Sequence, residues 1–345
     1  MYLCHINLAK GFSGGEQQTL NLIAELATRG LRQILVCREG GEVERRAREK
    51  GIPCHPVSHF LFGHLRGLGT DLLHGHCGKS IYWAALEHQF RGTPYLVTRR
   101  VDNPLSHGVL TRRAYRDAAR VVCLSRAIES SVQACVGPVP TGIIPSTYSG
   151  FQIDPAEVAR LRQAWSGRFL VGQIGNLLAH KGHDVTFEAA SRLAGTHPHL
   201  HFLILGDGPR RQELEQAASA LPNVTLLGHR KDIGNYLAIL DLFVFPSLSE
   251  GLGSSILEAM QAEIPVIASE AGGIPDLIDH KRTGILIPPG DAEALTGAIS
   301  RLEGNPDLRT ALAGEATRQL EKFSPSSVAD RYLATYTALI SPSIH

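Results

Sequence analysis

The stretch Phe245 to Ile278, FPSLSEGLGSSILEAMQAEIPVIASEAGGIPDLI, decides how this chain folds. The apolar run Leu242 to Phe245 reads as a buried strand that Pro246 and Ser247 end. A loop follows, with Gly251 and Gly253 on either side of Leu252. From Ser254 the spacing of Ile256, Leu257 and Met260 predicts a helix, and Ser254 and Ser255 are polar residues at its start. Pro265–Ala268 is a second apolar strand, and Gly272–Gly273 a second tight loop.

Each piece has a chemical use. The first turn of a helix carries free N–H groups and the positive end of the macrodipole, which suits a phosphate. Gly251 and Gly253 let the main chain approach a ligand that a Cβ would push away. Glu250 precedes the helix and Glu258 lies about one turn inside it. Carboxylates only accept hydrogen bonds, so they suit the paired hydroxyls of a sugar or a ribose. The arrangement points to a nucleotide sugar, with the diphosphate at the helix start, one acid on a hexose and the other on the ribose. A plain βαβ unit with exposed acids explains any one of these features but not their combination.

Glu250 and Glu258, with seven residues between them, resemble the E-x7-E motif of family 4 glycosyltransferases (glycosyl transferases group 1). The surrounding PS-x-x-EG-x-G, EAM, PV and GGIP elements follow that family's order. The resemblance implies a retaining enzyme of the α/β GT-B fold: two doubly wound Rossmann-like domains facing a central cleft. It also implies a nucleotide-sugar co-substrate and neither cofactor nor metal; no Asp-x-Asp motif occurs.

Composition agrees with two ordinary domains: 345 residues, 43% hydrophobic and 19% charged. No apolar run is long enough to span a bilayer, and the first residues lack the pattern of a signal peptide. The six cysteines lie in the first half without C-x-x-C spacing, as expected of reduced core thiols in a cytoplasmic protein. The net charge of +1 hides an asymmetry: +7 over residues 1–150 and −6 over 151–345. A basic first half suggests an anionic partner. Nucleic acid is disfavoured, since no aromatic–basic interleaving or recognisable module occurs.

Residues 1–150 are expected to form an acceptor-side domain, 151–168 a linker, 169–325 the nucleotide-sugar domain, and 326–345 a helix crossing back to the first domain. Lys10–Glu16 reads as a glycine-rich loop after the first strand. Its G-F-S-G-G-E is no dinucleotide fingerprint, but Gly14 and Gly15 match the family's glycine pair at the donor diphosphate and acceptor. Asp71–His76, DLLHGH, reads as a strand running into a loop; the family resemblance makes His76, with His74, a donor-sugar contact. Arg99 and Arg100 follow a strand at its carboxyl end, where α/β folds bind ligands, and are assigned to an anionic acceptor. Thr111–Arg120 reads as a helix with Arg112, Arg113, Arg116 and Arg120 on one face, either solvated or meeting a membrane surface.

In the second domain, Gly175–Gly182, GNLLAHKG, resembles the family's G-R-x-x-x-x-KG, whose Arg and Lys hold the diphosphate. Lys181 matches the Lys; Asn176 replaces the Arg, with Arg210, Arg230 or Lys231 as candidates to compensate. By the same resemblance the backbone after Gly228, at His229–Arg230, brackets the base. Glu263 stands where the family usually has Gly, and an exposed position is expected. The reading is a hexosyltransferase using a UDP- or GDP-sugar and a glycan or glycolipid acceptor, in lipopolysaccharide core or other cell-envelope polysaccharide synthesis. It would be cytoplasmic, with peripheral contact at the inner membrane surface as an option. Lys181 and the Ser254 and Ser255 amides would steady the leaving diphosphate, Glu250 the hexose and Glu258 the ribose. The alternatives are a GT-B nucleotide-sugar epimerase or hydrolase, and a non-catalytic nucleotide-sugar-binding protein.

Overall fold

The computed structural model describes residues 1–64, 67–103, 105 and 108–340. The chain divides into two compact units, Met1–Thr147 with the segment from Ser324 onward, and Tyr148–Phe323.

The first unit has seven strands: β1 (Tyr2–Asn7), β2 (Arg32–Arg38), β3 (Cys54–Val57), β4 (Leu72–Gly75), β5 (Tyr95–Arg99), β6 (Arg120–Cys123) and β7 (Thr141–Ile143). Five helices connect them: α1 (Gly14–Ala27), α2 (Glu42–Glu49), α3 (Ser80–Arg91), α4 (Val109–Arg116) and α5 (Arg126–Val136). The sheet is parallel, in the order β3-β2-β1-β4-β5-β6-β7. Its central strands are short apolar runs because both faces are covered. The chain winds outward from β1 to β3 and then restarts at β4, so the switch point lies between β1 and β4. There His5 and His74 sit side by side in register.

Two expectations are corrected here. Gly14 and Gly15 are not loop residues but the first turn of α1, because Ser13 acts as N-cap: its N–H and hydroxyl both donate to the Glu16 carboxylate, at 2.9 and 2.7 Å. The helix expected over Thr111–Arg120 stops at Arg116, and Arg120 opens β6. The reason is the sheet: the Ala119 N–H already donates to the Tyr95 carbonyl at 2.8 Å.

The second unit holds β8 (Phe169–Ile174), β9 (Leu200–Leu205), β10 (Val224–Gly228), β11 (Leu242–Phe245), β12 (Val266–Ser269) and β13 (Ile285–Ile287). They too are parallel, ordered β10-β9-β8-β11-β12-β13, with the switch point between β8 and β11. Its helices are α6 (Pro155–Ala164), α7 (His183–Leu193), α8 (Arg211–Ser219), α9 (Ile233–Leu237), α10 (Ser254–Gln261), α11 (Ala292–Glu303) and α12 (Pro306–Gln319). Helix α6 occupies the stretch read as linker; Asp154 caps it and Pro155 opens it.

A last helix, α13 (Pro325–Ile340), belongs to the first unit. It buries Val328, Ala329, Tyr332 and Tyr336 against Leu3, Leu22, Leu72 and Leu96. Among the described residues no helix is long and apolar enough to cross a membrane. None of the six cysteines is in a disulfide; Cys4, Cys37 and Cys123 are buried, and Cys54, Cys77 and Cys135 half-buried.

Candidate active site

At the β8/β11 switch point of the second unit, two loops run into two helix starts. One leaves β8 through Asn176 and Lys181 into α7; the other leaves β11 through Glu250 into α10. The Lys181 ammonium donates to the Glu250 carboxylate, and both side chains are mostly buried. The Lys181 Nζ also lies 5.3 Å from the centre of the Phe245 ring. Behind it, Gln173 donates to the Lys181 carbonyl at 2.9 Å and accepts from Thr186 at 2.7 Å, which fixes the loop from the sheet side.

Glycines allow this crowding. Gly182 has φ +69° and would place a Cβ 1.9 Å from the Pro246 carbonyl oxygen. Gly272, at φ +53°, would place one 2.0 Å from the Glu250 carbonyl oxygen, which accepts the Gly273 N–H at 2.8 Å. The main chain at Glu250 is thereby held from the β12 loop. Any side chain at either glycine would move one partner of the ion pair.

What sets these two helix starts apart in the unit is a left-handed glycine at the N-cap; α8 and α9 also lack a side-chain cap. Helices α6, α11 and α12 are capped by the side chains of Asp154, Asp291 and Asn305. Helices α7 and α10 begin after left-handed glycines, Gly182 and Gly253, with no side-chain cap. Their first N–H groups, those of Ser254 and Ser255 included, remain available to an anion beside Lys181. Gly251, Leu252 and Gly253 are buried beneath this turn, and Ser254 is exposed on it.

Glu258 lies elsewhere on α10, on a cavity of about 540 Å³ bordered by Phe151, Gln152, Asp154, Lys231 and Asn235. Burial pushes its carboxyl up to about 7. Gly228 ends β10 at φ +73°, and the Arg230 guanidinium stacks 5.5 Å from the centre of the Tyr236 ring. Of the cations proposed to replace an Arg at Asn176, Arg210 is committed to Asp184 and Glu213. Lys231 borders the Glu258 cavity, and Asn176 itself is exposed at the end of β8.

The first unit has a 260 Å³ pocket at its own switch point, bordered by Ser13, Gly15, Glu16, His76, Arg99 and Arg100. The Arg100 stem lies over Gly15, where a Cβ would meet its Cδ at 3.5 Å. Its buried Nε has no hydrogen-bond partner, and burial lowers the guanidinium pKa. Arg99 instead donates to the Asn103 carbonyl. Within the second unit, then, Lys181, Glu250, Gly251–Gly253, Ser254 and Ser255 come together. Within the first, His76, Gly15, Arg99 and Arg100 do, while Glu258, Gly228 and Arg230 sit apart from the ion pair.

Several residues here were not singled out from sequence. His183 opens α7 and is fully buried; burial first, then Arg210 and Lys181, holds its imidazole down at about 4. Gln173 supports Lys181, and Asn235 accepts the Asp154 N–H at 2.7 Å beside the Glu258 cavity. His5 and Gln33 hydrogen-bond toward His76. Their only signal was polarity inside strands that otherwise read as apolar.

Two doubly wound parallel sheets, each with a loop cluster at its switch point, define a GT-B glycosyltransferase fold. The structure of Anabaena Alr3699/HepE in complex with UDP matches it with a TM-score of 0.85 at 21% identity, over 98% of this chain and 100% of that one. In sequence, residues 168–305 match the family model of glycosyl transferases group 1. The chain is similar to the alpha-D-kanosaminyltransferase of Streptomyces kanamyceticus, 28% identical over 76% of each chain. It is also similar to the lipopolysaccharide core biosynthesis glycosyltransferase LpsE of Rhizobium meliloti (strain 1021), 26% identical over 96% of this chain and 98% of that one. These similarities, with the family match confined to residues 168–305, mark the chain as a glycosyltransferase.

Proposed function

We propose a retaining hexosyltransferase that takes a hexose from a UDP- or GDP-sugar and passes it to a glycan or glycolipid acceptor, without metal or cofactor. The observation that carries this reading is the Lys181–Glu250 pair set between two helix starts that lack side-chain caps. In the reaction the bond from the anomeric carbon to the diphosphate breaks and a bond to the acceptor oxygen forms on the same face. The acceptor proton passes to a phosphate oxygen of the leaving diphosphate. Lys181 and the Ser254 and Ser255 amides then oppose the charge that grows most in the transition state. Glu250 orients the hexose, Glu258 accepts from the ribose, and the Gly228–Arg230 turn flanks the base, with Asn176 a neutral donor near the diphosphate. The first unit's pocket, with Gly15 and His76 and with Gly14 next to it in the first turn of α1, handles sugar, and Arg99 and Arg100 draw an anionic acceptor.

The UDP in the Anabaena neighbour supports trying UDP-sugars first, and LpsE supports a lipopolysaccharide core acceptor. The test is binding of UDP- and GDP-sugars to wild type, Lys181→Ala and Glu258→Ala, followed by anomer-resolved NMR of the product with a core oligosaccharide. Sugar release without acceptor favours the epimerase or hydrolase; binding with no turnover favours the non-catalytic protein.

We infer a cytoplasmic protein that meets the anionic face of the inner membrane. Val109 and Leu110 on α4 are 82% and 75% exposed, next to Arg112 and Arg113. An apolar groove between Phe60, Leu61 and Leu110 is bordered by Arg113. Guanidinium groups beside exposed apolar side chains complement an anionic lipid surface. Flotation with phosphatidylglycerol vesicles tests it: wild type floats, Leu110→Glu does not, and equal recovery of both removes the reading.

A further inference from the structure

His5, His74 and His76 are buried together, with ligand atoms within 4.8 Å of one another, as in a metal site. Their hydrogen bonds say otherwise. His74 meets Tyr336 and Thr98, both at 2.7 Å, and His5 meets Gln33 and His76 at 2.9 and 3.0 Å. A metal held by three of these rings would displace such bonds, for only one ring nitrogen, His76 Nδ1, lacks a partner.

The proton positions follow in sequence from a backbone carbonyl. The Ile23 oxygen only accepts, so the Gln33 atom 3.0 Å from it is the amide nitrogen. The other Gln33 atom is therefore the oxygen, and His5 Nε2 must carry the hydrogen that reaches it. Burial keeps the His5 imidazole neutral, at about 4, so its Nδ1 is a bare lone pair. His76 Nε2 then has to donate to it. His76 is held neutral by burial and by its histidine neighbours, so its Nδ1 is bare as well. That atom is buried, unpartnered, and on the residue that borders the first unit's pocket.

We propose that Gln33 and His5 are positioning residues whose hydrogen-bond relay holds His76 with Nε2 protonated, leaving Nδ1 to accept from a sugar hydroxyl. The sugar part rests on the transferase reading above; the relay does not. An acceptor-only nitrogen takes a hydroxyl and refuses a bare carbonyl or phosphate oxygen. Arg100 on the same pocket is the complementary donor, with its own Nε buried and unpartnered.

The test is a long-range 1H–15N spectrum of the full chain labelled with 15N-histidine, with His76 assigned by its loss in His76→Asn. In the wild type Nε2 should be protonated and Nδ1 bare. Gln33→Met fills the same space without the hydrogen bonds and should give His76 a mixture of tautomers. Titration with UDP-glucose or GDP-mannose should shift the Nδ1 resonance. Where transfer is measurable, Gln33→Met should lower kcat/KM about tenfold, with Kd for UDP or GDP unchanged. A protonated Nδ1 in the wild type, no change of tautomer in Gln33→Met, or loss of the relay signals to stoichiometric Zn²⁺ would overturn the relay. The expected tautomer with no response to either sugar would leave the relay standing and overturn the sugar reading.

Discussion

Lys181 and Glu250, 69 residues apart, meet as an ion pair between the starts of α7 and α10. The carboxylate neutralises the ammonium that a diphosphate needs, and an arriving diphosphate must share or displace it. Glu250→Gln should therefore bind UDP or GDP a few-fold more tightly while transfer falls about 10²-fold. Lys181→Ala should lose both. Calorimetry with the free nucleotide decides it: equal weakening by the two substitutions removes the competitive pairing.

Arg99 and Arg100 are adjacent but differ in their hydrogen bonding. Arg99 is tied to the Asn103 carbonyl, whereas the Arg100 Nε is buried without a partner over Gly15. Arg100→Gln should raise the KM for an anionic acceptor about tenfold, and Arg99→Gln clearly less, with donor affinity unchanged. A loss of donor and acceptor binding together would assign this pocket to the donor.

The titrating groups pull in opposite directions. Glu258 is raised to about 7, so the ionised form that the proposed function sets against the ribose is lost below that pH. Donor affinity should fall about tenfold per unit under pH 7, and Glu258→Gln should bind weakly with a flat profile. A raised carboxyl pKa means that the folded state holds the proton more tightly than the unfolded one. Glu258 therefore costs stability as pH rises from its unfolded value through 7, by at most about 3 kcal/mol. Glu258→Gln should accordingly be the more stable protein at pH 8. The buried His5, His74, His76 and His183 are all lowered, His5 and His183 to about 4, so their contribution is present above the ordinary histidine value and lost as pH falls through their lowered folded values. Urea midpoints from pH 8 to 4 should show both trends, the acid loss being steep because several protons are taken up together.

Glu263 is exposed, as expected, but it is also left-handed, at φ +57°. That conformation costs a residue with a Cβ about 1–2 kcal/mol, partly offset by the extra freedom glycine has when unfolded. Glu263→Gly should stabilise the chain by about 0.5–1 kcal/mol without affecting transfer. A lower urea midpoint would mean that Glu263 makes a contact outweighing its strain.

The candidate site at the start of α10 was legible in sequence because its parts are local, although Glu258 turns out to border a separate cavity. Glu250, Gly251, Gly253, Ser254 and Glu258 all lie in one strand–loop–helix unit, where the type and order of residues imply the geometry. Lys181 stood out because Gly175–Gly182 resembles the family's G-R-x-x-x-x-KG. Arg120 was misplaced because helical spacing ran past Arg116, and pairing with β5 outweighed it. Gly14 and Gly15 were read as loop because glycine is a poor helix former; the Ser13–Glu16 hydrogen bonds start α1 there regardless.

From the sequence alone came the α/β strand–loop–helix pattern, the family resemblance that implied the GT-B class, and the candidate residues at the start of α10, since hydrophobic periodicity and glycine placement act over a few residues. Only the tertiary structure decided which charges are already paired and which polar groups are left open. It ties Lys181 to Glu250, commits Arg210 to Asp184 and Glu213, and leaves His76 Nδ1 and Arg100 Nε without partners. It also links Gln33 on β2, His5 on β1 and His76 just past the end of β4 into one relay. Hydrogen bonds and ion pairs depend on ångström-scale approach between residues far apart in the chain, and parallel sheet packing creates that approach.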